Sequence, residues 1–352
     1  MIQVSNTDTK NLKNYKFIDL FAGIGGFHLA LSSLGAECVF ASEWDKHASE
    51  TYELNFKLKP NGDITKISEK EIPNHDILCG GFPCQAFSIS GKQKGFEDVR
   101  GTLFFDIARI VNQHNPKVLF LENVKNLAKH DYGRTLKTII KTLEELNYTV
   151  YSKIFNASNF GLPQNRERVY IVAFNNTLNS KKFKFPKPTN EPICLENILE
   201  NNPKNAKIIE RNDIEIYKTY TEQSTLFGNA VLPNKPIQIG KVNKGRQGER
   251  IYHPMGHAIT LSAYGGGVGS KTGLYLVNGK IRKLSPRECA RVQGFPEEFI
   301  LNKTDTQSYK QFGNSVSINV LQNILLEIEK ILKENEIEDS RKPIKENAKN
   351  EY

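Results

Sequence analysis

Between Phe17 and Phe174, short and mostly apolar runs alternate with longer stretches of helical spacing. A strand with one wet face alternates apolar and polar residues. A strand without a polar face must be covered on both sides. The strands read as Phe17–Phe21, Cys38–Ala41, Asp76–Cys79, Val118–Leu121, Tyr148–Phe155 and Val169–Phe174. Helices read as Gly25–Leu34, Asp45–Phe56, Leu103–Val111 and Thr135–Leu146. Such an alternation folds as α/β, with a mostly parallel sheet between two helical layers.

The rest of the chain changes character. Residues 176–236 are rich in Asn, Lys, Pro and Glu, and a boundary is expected near Lys187-Pro188. Glycine-rich residues 237–283 predict a smaller, irregular β-rich domain. Ser285–Gly294 and Ser315 to about Leu332 predict helices, and the mixed-charge tail after Glu334 is expected to fray. The expected organisation is a main domain over 1–190, completed by 310–335, a second domain over 191–284, a hinge over 285–309 and a tail over 336–352.

Composition excludes several classes. No run approaches the ~20 apolar residues that span a bilayer, and Met1–Asn14 lacks the apolar core of a signal peptide. The five cysteines form no C-x-x-C pair, so neither a disulfide framework nor a zinc site is expected. A cytoplasmic protein without a metal fits these features. Net charge is +9, and from Gly240 to Lys283 eight basic residues meet one acid, Glu249. A concentrated positive field implies a polyanionic partner.

Ligands of open parallel sheets sit beyond the carboxyl ends of the strands. Four loops there carry chemistry: Phe21-Ala22-Gly23-Ile24-Gly25-Gly26, Glu43-Trp44-Asp45, Gly80-Gly81-Phe82-Pro83-Cys84 and Glu122-Asn123-Val124 after the strand at Val118. The first lets a ligand approach the backbone, yet it is no dinucleotide fingerprint, because His28 stands where the third glycine belongs. Glu43 is placed to accept from a ribose diol, Trp44 to stack on adenine and Asp63 to accept from an exocyclic amine. Together they describe an adenosine site without a pyrophosphate. Cys84 follows a proline in a glycine-flanked loop and is a candidate nucleophile. Glu122 ends a buried strand, where burial favours its protonated form.

In chain order, Asp19-Leu20-Phe21-Ala22-Gly23-Ile24-Gly25-Gly26, Gly81-Phe82-Pro83-Cys84-Gln85, Glu122-Asn123-Val124, Gln164-Asn165-Arg166-Glu167-Arg168 and Gln311-Phe312-Gly313-Asn314-Ser315-Val316 resemble the motifs of the bacterial DNA (cytosine-5-)-methyltransferases of restriction–modification systems. The resemblance covers about residues 17–174 and 237–330. It implies a Rossmann-like methyltransferase sheet with a target-recognition domain. The implied cofactor is S-adenosylmethionine, leaving as S-adenosylhomocysteine. It gives Cys84 attack on C6 of cytosine, Glu122 proton donation to N3, and Arg166 and Arg168 the steadying of base and carboxylate. Phe21, Ala22, Gly23, Ile24, Gly26, Glu43, Trp44, Asp63, Ile64, Pro83, Leu103, Asn314 and Ser315 would contact the cofactor. Double-stranded DNA is the implied substrate, with its target base flipped out. Gln247 would fill the gap from one groove and Ser90 from the other. Arg250, Thr260, Tyr264 and Gly267 would make further DNA contacts. The loop from Cys84 to Gly101 would be a mobile lid.

Likeness at these positions also implies a GCGC-type site with the inner cytosine methylated. Val268-Gly269-Ser270 departs from the bulkier residues expected there, which leaves a shorter CG-containing site open. A monomer paired with an endonuclease of the same specificity follows from the same likeness. Two other readings stand beside it: an RNA cytosine methyltransferase using the same catalytic set, and an inactive DNA-binding regulator. The basic segment favours duplex DNA, and the intact Cys84, Glu122 and Arg166 favour an enzyme.

Overall fold

The structure, a computed structural model, describes residues 11–83, 102–189, 191–217 and 235–341. Strands β1 (Lys16–Leu20), β2 (Glu37–Ser42), β3 (Ile77–Gly81), β4 (Val118–Val124), β5 (Tyr148–Asn156) and β6 (Glu167–Asn175) form one sheet in the order β2-β1-β3-β4-β6-β5. The first four are mutually parallel, whereas β6 runs antiparallel to both β4 and β5. Helices α1 (Gly26–Ser33), α2 (Lys46–Phe56), α3 (Leu103–His114) and α4 (Arg134–Glu145) occupy the connections.

Both faces of the sheet are covered, as the apolar strands require. Successive side chains of a strand point to opposite faces. Phe17, Phe120 and Val172 accordingly pack on one side with α1 and Val320, Ile324 and Ile328 of the C-terminal helix. Ile18, Leu119 and Ile171 pack on the other with Ile107 and Val111 of α3 and Ile139 of α4. Helix ends are fixed locally. Asp45 caps α2 by accepting from Ala48 N, and Thr102 caps α3 by accepting from Phe105 N.

A second, smaller sheet is built from β7 (Glu215–Ile216), β8 (Ile237–Lys241), β9 (Arg250–His253), β10 (Leu274–Val277) and β11 (Lys280–Arg282), in the order β11-β10-β9-β8-β7. Its core is slight: Ile209, Ile239, Val242, Ile251, Leu274 and Ile281. Two helices follow, α5 (Pro286–Gln293) and α6 (Asp305–Asn314). Phe295, Phe299 and Phe312 pack there against Ala258, Leu261, Tyr275 and Leu284, and also against Ile24 beside the first sheet.

Three sequence expectations need correction. The C-terminal helix, α7, spans Ile318–Arg341, starting later than Ser315 and ending beyond Leu332. Ser315 is extended, so the segment between α6 and α7 crosses toward the sheet rather than winding. The chain after Glu334 stays helical to Arg341 because tertiary contacts hold it. Tyr15 Oη donates to Glu336 at 2.6 Å, and Asn335 Oδ1 accepts from Asn179 N at 2.8 Å. The third concerns charge: Arg282 and Lys283 are buried and add nothing to an exposed basic surface. Arg282 forks onto Glu288 through two 2.8 Å bonds, and Lys283 Nζ lies over the Tyr309 ring.

Candidate active site

The parallel strands deliver their carboxyl ends to one edge, and β6 enters from the same edge. Glu122-Asn123-Val124 lies within β4, paired with Tyr170, Val169 and Arg168, rather than after the strand. β6 supplies a partner to the end of β4, and the strand therefore continues past its apolar run. Glu122 is 7% exposed. Arg168 Nε lies 3.1 Å from its Oε1. Burial raises the Glu122 carboxyl above its ordinary range, while Arg168 and Arg166 pull the other way.

Asn123 fastens the neighbouring turn. Its Nδ2 donates to Phe82 O at 2.8 Å, which ties the residue before Pro83 to the strand carrying Glu122. Pro83 is exposed and Phe82 buried. Cys84, Ser90 and the lid through Gly101 lie outside the described residues.

Arg166 faces another task. It is buried and donates to Leu261 O at 3.1 Å, Gly313 O at 3.3 Å and Ser315 O. Burial, with the neighbouring Arg168, lowers its guanidinium to about 9. The structure therefore sets Arg168 against Glu122, while Arg166 pins the segments that precede Ser262 and flank Asn314.

The second cluster gathers where β1 and β2 end. Phe21 adopts a left-handed conformation at φ 55, and Ala22 N returns to Ser42 O at 2.9 Å. Glu43 accepts from Gly23 N at 2.8 Å through Oε2 and from Asp45 N at 2.7 Å through Oε1. Burial raises its carboxyl and those backbone donors oppose the rise. Trp44, between them, is 80% exposed and is no core residue. Asp63 accepts from Thr65 N and Oγ1 at 3.1 and 2.8 Å, and the Thr65 bonds hold its carboxyl low. Ile64 and Ala22 are buried, Ile24 packs beside α5 and α6, and Leu103 opens α3 half-buried. Asn314 is exposed and Ser315 buried. Val316 beside them reaches both Gly26 and Gly81, so this segment closes over the crevice between β1 and β3.

The smaller sheet carries its candidates in the open. Gln247, Arg250, Thr260, Tyr264 and Gly267 are all exposed. Their loops are stitched together through backbone. Gly269 N donates to Gly248 O at 2.7 Å, and a side chain at Gly248, φ 84, would meet Gly266 O at 2.4 Å. Thr260 Oγ1 donates to Asn165 O, and Leu261 N to Gln164 Oε1 at 3.1 Å, so these loops spring from the mouth of β6. Among the described residues, no three His, Cys, Asp or Glu side chains group as metal ligands. No helix there is long and apolar enough to cross a membrane.

Residues 15–330 match the family described as C-5 cytosine-specific DNA methylase. The chain belongs to the C-5 cytosine-specific DNA methylases. It is 55% identical to the type II methyltransferase M.HhaI of Haemophilus parahaemolyticus over 329 residues, 93% of this chain and 97% of that one. It is 45% identical to the type II methyltransferase M.HpaII of Haemophilus parainfluenzae, over 88% of each. Solved structures of like fold include the Dnmt2 methyltransferase of S. pombe, at TM-score 0.64 and 20% identity over 91% of this chain and 99% of that one. A putative DNA modification methyltransferase encoded within an E. coli prophage has TM-score 0.65 and 22% identity over 91% and 99%. A DNA cytosine methylase of the restriction–modification type, with its α/β sheet and second small sheet, is thus the identity of the chain.

Within this C-5 cytosine methylase, sequence reading overlooked several residues that hold the site. Asn123 anchors the turn before Cys84. Arg109 donates to Ile64 O and Ile67 O at 2.7 and 2.9 Å and pairs with Glu69 and Asp106, which fixes the Asp63 turn against α3. Lys310 pairs with Asp45 at 2.6 Å. Asn123 lies within the Glu122-Asn123-Val124 motif, but its anchoring role has no signal in the sequence; Arg109 and Lys310 belong to no motif, and their partners at Glu69 and Asp45 are distant in sequence.

Proposed function

We propose that this methylase transfers a methyl group from S-adenosylmethionine to C5 of a cytosine flipped out of a short duplex site, through a transient bond between Cys84 and C6. The observation that carries the proposal is Glu122: a carboxyl raised by burial, held by Arg168 at the carboxyl end of β4, and tied through Asn123 to the turn preceding Cys84.

The residues fit the cofactor. Each oxygen of Glu43 takes one backbone N–H and keeps acceptor capacity for a ribose hydroxyl. The exposed Trp44 indole has a face for adenine, and Asp63 would accept from the exocyclic amine. Gly23, Ile24, Gly26, Asn314 and Ser315 would border the amino-acid end. When bound, S-adenosylmethionine supplies a methyl group on a sulfonium centre.

C5 of cytosine is a poor nucleophile within an aromatic ring. The Cys84 thiolate adds to C6, and electron density moves toward C5 and N3. Protonated Glu122 donates to N3 and stabilises that charge. Arg168 holds the carboxyl in place. Once C5 carries the methyl, the C5 proton leaves to solvent, the Cys84 sulfur departs as thiolate, and N3 returns its proton to the Glu122 carboxylate, which restores the ring.

Gln247 and Ser90 would fill the gap left by the flipped base, at a cost of a few kcal/mol for unstacking. Arg250 is exposed, its Nε donating to Gly245 O at 3.3 Å, and its guanidinium would turn to read a guanine edge. Likeness to M.HhaI through the recognition loops supports a GCGC-type site. We read residues 1–190 with 310–335 as the catalytic domain, 191–284 as the target-recognition domain, 285–309 as a hinge and 336–352 as a tail. A cytoplasmic monomer paired with an endonuclease of matching specificity completes the proposal. Methylation of genomic DNA with base-resolution mapping of 5-methylcytosine tests it. The expected product is 5-methylcytosine at the inner cytosine of GCGC. Modification at other cytosine-containing sites would overturn the specificity, and transfer to transfer RNA alone would overturn the substrate.

A further inference from the structure

Helix α6 touches both halves of the proposed site. On the cofactor side, Lys310 Nζ lies 2.6 Å from Asp45 Oδ2. Gln311 Nε2 donates to His47 O and Thr51 Oγ1 at 2.9 and 3.1 Å. Asp45 is itself tied into the cleft. Its Oδ1 caps α2, and its N–H donates to Glu43 Oε1 at 2.7 Å. A displacement of Asp45 therefore moves the Glu43 carboxylate and the Trp44 between them.

On the DNA side, Gly313 meets the recognition loop backbone to backbone. A Cβ there would stand 2.2 Å from Ala263 N and from Ser262 C, one or two residues before Tyr264. Arg166 bonds Leu261 O and Gly313 O together. Lys271 Nζ donates to Thr306 O at 3.4 Å. The groups acting on the Lys310 ammonium come from two segments: Asp45 first, through its hydrogen bond, with Glu43, both from the connection between β2 and α2, and Tyr264 from the recognition loop; they raise its pKa above the ordinary value. Lys310 thus stands on the helix that joins the Glu43-Trp44-Asp45 segment to the Ser262-Ala263 backbone.

We propose that Lys310 is a positioning residue that couples occupancy of the Glu43–Trp44 cleft by the cofactor to seating of duplex DNA on the Tyr264 loop. This rests on the methyltransfer reading above. DNA that orders Ser262–Tyr264 fixes α6 through Gly313, and α6 keeps Asp45 paired and Glu43 aimed. Linkage requires the reverse as well: a filled cleft tightens DNA binding by the same factor. Lys310 itself touches neither ligand in this account.

The test measures the affinity of the full chain for S-adenosylhomocysteine, which cannot transfer, with and without a GCGC duplex. DNA should tighten binding at least about fivefold in the wild type, a typical coupling. Lys310→Met should reduce the factor below about twofold, Asp45→Asn should do the same, and the double variant should lose little more. Lys310→Arg should keep it. In steady state, Lys310→Met should raise KM for S-adenosylmethionine more than it lowers kcat. A wild type without coupling would overturn the inference. So would a Lys310→Met variant that lowers Tm or both affinities alike with the factor intact. A wild type that methylates no duplex would overturn the function and the coupling together; methylation with an unaltered factor in Lys310→Met would overturn the coupling alone.

Discussion

The two sheets place the residues proposed for chemistry and those proposed for base reading in opposite ways. In the large sheet Glu122, Arg166 and Glu43 are buried or nearly so, and each is held by fixed partners. In the small one Gln247, Tyr264 and Gly267 are exposed on loops held by backbone bonds, and Arg250 is exposed at the start of β9. The difference follows from what each must do. A carboxylic acid stays protonated near neutral pH only where water is excluded. A side chain that reads a base edge must stand clear of its own fold until DNA arrives. On the proposed function, burial suits the first region to chemistry and exposure suits the second to reading DNA.

The comparison breaks most visibly in activity. Cys84→Ser should abolish methyl transfer while sequence-selective binding persists. Glu122→Gln should lower the single-turnover rate by about 10²–10⁴-fold, the usual worth of a positioned proton donor. Wild-type transfer should decline as pH rises through the raised Glu122 value, because the donor form is lost. Glu122→Gln should flatten that decline. Full activity in either variant would move the chemistry out of the large sheet.

Acid stability should report on the packing around the large sheet. His28, whose Nδ1 lies 2.6 Å from Tyr52 Oη and whose ring stacks on Phe56 at 3.9 Å, is lowered to about 4 by burial. His75 is lowered to about 4 as well, chiefly by burial. The unfolded chain protonates near pH 6.5 and the folded one near 4, so stability is complete above 6.5 and is lost as pH falls between them. Each residue should contribute on the order of 3 kcal/mol to that loss. Denaturant titrations of His28→Gln and His75→Gln against pH would check it; slopes like the wild type's would contradict it.

Smaller effects should separate the joint between the sheets from the reading surface. Gly313→Ala forces a methyl group into the backbone of Ser262-Ala263 and should cost about 1–3 kcal/mol of stability, as overpacking does. Arg250→Ala should leave stability and kcat nearly intact and relax one base pair of the site by about 1–3 kcal/mol. Competition among duplexes with single substitutions would read it. Unchanged selectivity would place base reading elsewhere.

Much of the large sheet was legible because β3 and β4 carry short runs with no polar face, and β1 is apolar from Phe17 to Leu20 but for the buried Asp19. The ends were less so. β4 runs on through Glu122 because β6 supplies a partner, and β6 lies more than 40 residues downstream. α6 escaped notice because Tyr309 and Phe312 are its only large apolar residues, and its stability comes from Gln311 and Lys310 reaching α2. The basic segment gave the sign of the small sheet's field but not the fate of each charge: Arg282 is cancelled by Glu288, which α5 brings under it. Motifs located the site's acids and glycines, while the holding roles of Asn123, Arg109 and Lys310 needed the fold.

The most direct measurement concerns the bond itself. Incubation with S-adenosylmethionine and a duplex bearing 5-fluorocytosine at the target should give a one-to-one complex that survives denaturation, since fluorine at C5 blocks the proton loss that frees the sulfur. Peptide mapping should place the link at Cys84. Efficient methylation of ordinary duplex with no such complex, or a link at another residue, would contradict the account.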